Sequence, residues 1–260
     1  MRTVLIAILS AGVAWPTAAV DPQRLSVARA KTGKAGKSLA RNDIPRAEGL
    51  FREAIAAEPA YPEAYLGLAT ALVAQQRFAE AIPVLEEAKQ AYVRWAQSER
   101  ETEMAARQEA AARAREFADL QQQQASRGRP GPGGKPNSPL TAMAASRVAT
   151  EEYLARRGWR MENLQAVPAQ VFYLQGLGLV RTGQRERGIE ELRAALTVDE
   201  GHGLAHYNLA VALFAAGQTA LAKEHLDAAR AAGVTPNPAF AADLEQAALS
   251  LRPTAAPDRL

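Results

Sequence analysis

The imidazoles are the first place to look for chemistry, and the chain has three: His202, His206 and His225. His202 and His206 are four residues apart, the spacing at which one helix face presents two ring nitrogens to a metal ion. The hydrolytic version of that motif needs a glutamate directly after the first histidine, and Gly203 stands there instead. Asp199 and Glu200 are the carboxylates that could complete such a site. His202 also falls in a turn, so the pair reads as structural or surface histidine and no metal is assigned. Gly36-Lys37-Ser38 looks like the end of a phosphate-binding loop, but the full pattern needs a glycine at Lys31 and an apolar strand before it, and neither is present. Glu86-Glu87 and Glu190-Glu191 fall on helix positions expected to be solvated. With no cysteine there is no thiol nucleophile, disulfide framework or cysteine zinc site. No serine elbow and no glycine-rich nucleotide loop occurs. The reading is a chain that is not an enzyme, with no catalytic residues and no cofactor.

The elements that carry these residues are helical. Hydrophobic residues make up 48% of the 260, but alanine supplies much of that and aromatics only 6%. Alanine has the best helix propensity, and the β-branched residues that favour strands are sparse. The net charge of +3 comes from interspersed acids and bases, an ordinary solvated surface without the clustered cations and stacking aromatics of a nucleic-acid site.

Order appears at a period of 34. AQVFYLQGLGLVRTGQRERGIEELRAALTV, from Ala169, aligns with GLAHYNLAVALFAAGQTALAKEHLDAARAA, from Gly203. Phe172 falls on His206, Gly176 on Ala210, Gly183 on Gly217, Gly188 on Ala222 and Leu192 on Leu226. An earlier unit has Tyr65, Leu68, Ala69 and Leu72 on one helical stripe and Ala81, Leu85 and Ala88 on the next, with Gln75-Gln76-Arg77 turning between them. Pro83 is expected in the first turn of the second helix, where its missing N–H is least costly. Self-similarity at this period marks stacked two-helix units.

These residues resemble the tetratricopeptide repeat. That family places an aromatic, a Leu-Gly or Leu-Ala pair and an aromatic or leucine on its first helix, and Ala, Leu and Ala on its second. Here they are Tyr65, Leu68-Ala69, Leu72, Ala81, Leu85 and Ala88, and again His206, Leu209-Ala210, Leu213, Ala222, Leu226 and Ala229. Val93 and Val234 replace the closing proline, and Gln175 replaces leucine in the third unit. The resemblance implies an all-α superhelix (solenoid) of about four helix-turn-helix repeats, with a long helical insertion and a C-terminal capping helix. It also implies a concave face, lined by the first helix of each unit, that binds a protein or peptide. Carried over by repeat position, that face comprises Leu66 and Thr70, then Gln170, Tyr173, Leu177 and Arg181, then Tyr207, Asn208, Val211 and Phe214. Tyr173, Tyr207 and Phe214 are the expected anchors, since aromatics dominate binding hot spots.

The remaining segments follow by composition. Residues 1–19 read as a signal peptide: Arg2, an apolar run from Val4 to Val13, and small residues at Thr17-Ala18-Ala19. The expectation is cleavage there, a periplasmic or secreted protein and no membrane span afterwards; an uncleaved anchor is the competing reading. Residues 20–36 are expected to be a mobile basic leader, because Gly33 and Gly36 interrupt any helix. Residues 37–93 form an N-terminal repeat pair whose first member is degenerate. Residues 94–158 hold a charged long helix, a Gly/Pro linker over 126–139 and a second helix, either an insertion or a deformed repeat. Residues 159–235 form the C-terminal pair, 236–251 the capping helix and 252–260 a tail. The functional expectation is an exported adaptor; the alternative is a homo-oligomeric envelope assembly protein acting through the long middle helix.

Overall fold

The computed structural model describes residues 20–127 and 166–250, with only the helical backbone described over 120–127. The signal segment, the linker beyond Arg127, the second middle helix and the tail lie outside these residues. Nine helices are described: α1 (Pro22–Ala40), α2 (Ile44–Ala57), α3 (Pro62–Ala74), α4 (Phe78–Arg127), α5 (Ala169–Arg181), α6 (Arg185–Val198), α7 (Gly203–Ala215), α8 (Thr219–Ala231) and α9 (Pro238–Ser250). The described residues contain helices and turns and no strand.

Four antiparallel pairs stack in chain order: α1 with α2, α3 with α4, α5 with α6, α7 with α8, and then α9 on α8. The turn inside each pair repeats one backbone device. Asn42, Gln76, Gly183 and Gly217 all have positive φ (59°, 59°, 85° and 77°), and within each half they are 34 residues apart. A left-handed residue just past a helix end lets free amides return to the last carbonyls. Asp43 N, Arg77 N, Gln184 N and Gln218 N do so, onto Ser38, Leu72, Leu179 and Leu213.

Small residues set the distance between paired helices. Ala69, Ala81, Ala210 and Ala222 are fully buried. In the third pair glycine stands on both sides: a Cβ at Gly176 would lie 3.0 Å from Gly188 O, and one at Gly188 2.9 Å from Gly176 O. Leu85, Leu192 and Leu226, fully buried, fill the contact with neighbouring helices. Tyr65, also buried, donates its hydroxyl to Pro59 O at 3.1 Å, and burial pushes its phenol up to about 12. Glu48, buried on α2, accepts from Gln75 and Arg77 of the next turn and pairs with Arg52. Desolvation acts to raise its carboxyl, but these donors outweigh it and hold the group below the usual carboxylate value.

Three features differ from the sequence expectation. Residues 20–36 are not a leader: α1 starts at Pro22, with Asp21 accepting from Gln23 N at 2.8 Å as its cap. Ala28, Ala35 and Ser38 form its buried side, while Gly33 and Gly36 face open space, where glycine costs propensity but no packing. Pro83 sits beyond the first turn, inside α4, and the helix continues past it. The third difference is the placement of the middle segment. α4 runs on for 50 residues, about 75 Å at the rise of an α-helix, yet its first turns pack directly on α5. Ile82 lies against Gly178, Glu86 accepts from Gln175, and Lys89 pairs with Glu191. The two repeat pairs thus form one uninterrupted stack, and α4 stays against it through Ala91, Tyr92 and Trp95, whose ring meets Tyr61 edge-on at 6.1 Å.

Candidate functional site

The first helices α1, α3, α5 and α7 lie side by side through the stack, because each touches the next of its kind: α1 with α3, α3 with α5 and α5 with α7. Together they line one face. Leu66, Thr70 and Val73 of α3, Leu177 of α5, and Asn208 and Val211 of α7 are half-buried, while Gln170 and Arg181 are exposed. Thr70 donates its hydroxyl to Leu66 O at 2.8 Å, and Asn208 Nδ2 donates to Leu204 O at 2.9 Å. Leu204 beside it is 48% exposed. The accessible part of this face is therefore aliphatic and amide-rich, with the Arg181 guanidinium at the end of α5.

The three aromatics expected as anchors are engaged within the chain. Tyr173 is only 8% exposed, with its ring tilted on His202 at 4.8 Å between centroids. Burial raises its phenol, opposed by a hydrogen bond with Asn208 and by Arg181. Tyr207 and Phe214 both meet Phe240 of α9 edge-on, at 5.8 and 5.9 Å, and the Tyr207 hydroxyl accepts from Asn237 N at 3.4 Å. Edge-to-face pairs of this kind add to area burial. The sequence places Phe240 in the apolar stripe of the last helix but does not indicate which rings it meets.

The histidines are placed differently from the i,i+4 reading. His202 is the N-cap of α7, its Nδ1 accepting from Ala205 N at 3.1 Å, with Nε2 3.3 Å from Gln170 Oε1. His206 turns instead toward His225 of α8, the two Nδ1 atoms 2.9 Å apart. His206 Nε2 lies 3.0 Å from Glu200 O. A carbonyl can only accept, so His206 carries its proton on Nε2 and His225 donates from Nδ1. Burial, then the neighbouring His206 and Arg193, push the His225 imidazole down, against a smaller upward pull from Glu224. Among the described residues no three His, Asp or Glu side chains gather where they could hold a metal ion.

One buried polar group stands out where the halves join. Gln175 occupies a position the repeat usually gives to leucine and is 2% exposed. Its Nε2 donates to Glu86 Oε2 at 3.2 Å, and its Oε1 has no partner among the described residues. Beside it Lys89 sits 4.9 Å above the Phe172 ring centroid.

Comparison with known proteins bears on the family. Tetratricopeptide-repeat models match residues 38–98 and 173–233. No curated protein matches the chain. Among solved structures, a thermophilic TPR protein of Thermus thermophilus is 14% identical, with 85% of this chain and 99% of that one covered at a TM-score of 0.37. YrrB, described as a TPR protein with an unusual peptide-binding site, is 16% identical, with 83% and 90% covered at 0.30. PilW, a type IV pilus biogenesis factor, is 14% identical, with 86% and 87% covered at 0.38. The two sequence matches coincide with the 34-residue recurrence of turns and small residues: the chain carries tetratricopeptide repeats over residues 38–98 and 173–233.

Proposed function

We propose that the protein is a non-enzymatic exported adaptor that binds a protein or peptide on the face lined by α3, α5 and α7. The observation that carries this reading is the uninterrupted contact of these first helices across the middle segment, which makes one surface of two repeat pairs. Leu66, Thr70, Gln170, Leu177, Arg181, Asn208 and Val211 supply the contacts. Tyr173, Tyr207 and Phe214 act beneath them, holding α7 and α9 in place. An extended peptide suits such a face, because Asn208 and Gln170 present amides and Leu66, Leu177 and Val211 present aliphatic patches between them. Arg181 favours a partner with a carboxylate at that end. Export is inferred from residues 1–19 alone, and among the described residues no helix is long and apolar enough to cross a membrane.

The test is recovery of a partner from the native envelope by wild type and by the double variant Leu177→Asp, Val211→Asp. Both sites are half-buried at the surface, so the variant is expected to fold and to lose the partner. Equal recovery, with unchanged circular dichroism, would mean that the partner does not bind this face. A second reading, self-association through α4, is favoured by Met104 and Phe117, exposed at 55% and 62% far along that helix. Light scattering on wild type and on Met104→Glu, Phe117→Glu separates it: an unchanged mass in the variant ends that reading.

A further inference from the structure

The outer side of α1 carries cations that the repeat stack leaves unneutralised. α1 contains Arg24, Arg29, Lys31, Lys34 and Lys37 and no carboxylate. Three of the five are engaged: Arg24 donates to Ala57 O at 2.9 Å, Lys31 pairs with Glu53, and Arg29 bonds the Tyr61 hydroxyl. Lys34, Lys37 and the C-cap residue Arg41 are exposed or at the helix rim, and among the described residues none has a carboxylate within ion-pair reach. Their spacing of three and four places them on one helix side, in line with Ala30 and with Val27, which is 47% exposed. Gly33, at the edge of this side, faces open space. α1 packs on α2 and α3 with its other side, which leaves this one at the end of the described stack.

The chemistry of this face selects among anionic partners. It has no aromatic on which a nucleic-acid base could stack, and no aromatic anchor of the kind that concentrates protein-binding energy. A row of cations with an apolar residue at one end suits a surface whose charges are many, coplanar and laterally mobile. Only eight residues separate Pro22 from the apolar run Val4–Val13, and an apolar segment next to a polybasic one is a two-signal pattern for bilayer attachment. The geometry points to a docking face for an anionic lipid bilayer, formed by Lys34, Lys37, Arg41 and Val27. It rests on the competing reading of residues 1–19, in which the apolar run is kept as an anchor, and is independent of the groove.

The experiment is co-sedimentation of the full chain with vesicles of phosphatidylcholine alone or of equimolar phosphatidylcholine and phosphatidylglycerol, at low and high salt. Binding to the neutral vesicles reports on the apolar run, and the anionic-to-neutral ratio reports on the face, so the two readings fail separately. The expected result is a ratio well above one that falls with salt. Lys34→Gln, Lys37→Gln, Arg41→Gln together should lower it on the order of a hundredfold, from roughly 1 kcal/mol per cation near an anionic surface. A control triple, Arg185→Gln, Arg187→Gln, Lys223→Gln, should retain it. Equal binding to both vesicles, or equal loss in the control, overturns the proposal. So does tighter binding to a DNA duplex than to the anionic vesicles, lost in the same α1 variant.

Discussion

Lys89 and Glu191, 102 residues apart, are joined by two hydrogen bonds of 2.7 and 2.8 Å across the contact between α4 and α6. Both side chains are largely shielded, at 17% and 22% exposure, and Lys89 also lies over the Phe172 ring. A pair this shielded sits between the weak surface case and the costly buried one. Lys89→Met and Glu191→Gln should each destabilise by about 1–2 kcal/mol, and the double variant by less than their sum. Urea unfolding of the four proteins gives the coupling directly; additive losses would mean that the pair does not tie the halves together.

Glycines in this chain should respond to alanine with opposite signs. Gly188→Ala places a methyl 2.6 Å from Val180 Cγ2 and 2.9 Å from Gly176 O, so α5 and α6 must separate, at about 1–3 kcal/mol. Gly33→Ala and Gly36→Ala meet nothing within 4 Å, and each should stabilise α1 by up to about 1 kcal/mol. Thermal melts of the three variants check this. A stabilised Gly188→Ala would contradict the close crossing of α5 and α6.

Much of this was legible in the sequence, and the gaps have physical reasons. The pairing of Gly183 with Gly217 and the turn at Gln75-Gln76-Arg77 are local signals, and the turns fall there. α1 was hidden because its buried side is made of Ala28, Ala35 and Ser38, small residues that give no apolar stripe. The Lys89–Glu191 contact had no local signature, since nothing in a sequence window announces a partner 102 residues away. The face residues Leu177 and Val211 follow from repeat position. Repeat position could not reveal that Phe240 covers Tyr207 and Phe214, because a terminal helix follows its own geometry.

Burial of His225, with His206 beside it, makes the last repeat sensitive to acid. The folded His225 imidazole titrates below its unfolded counterpart, so the unfolded state takes up a proton first as pH falls. Its contribution to stability is therefore complete above the ordinary value of 6.5 and declines as pH drops through it toward the lowered folded value. Between about pH 7 and 5, wild type should lose more thermal stability than His225→Gln. Equal losses would detach His225 from the acid response.

Phe240→Ala should release the edge contacts to Tyr207 and Phe214 and free α9. Loss of a half-buried phenylalanine from such a cluster should cost about 2–4 kcal/mol. Hydrogen exchange should show the loss concentrated in α7 to α9, since neighbours in a repeat stack support one another locally. A uniform change through α1 to α4 would argue against that picture.

On the proposed function, partners are read by the face of α3, α5 and α7, which two repeat pairs build together. The test is a photo-reactive phenylalanine placed singly at Leu177, at Val211 or at exposed Arg113 far along α4, followed by crosslinking in the native envelope. One discrete heterologous adduct should be shared by the Leu177 and Val211 positions and absent at Arg113. Adducts at Arg113 alone, with none from Leu177 or Val211, would contradict it.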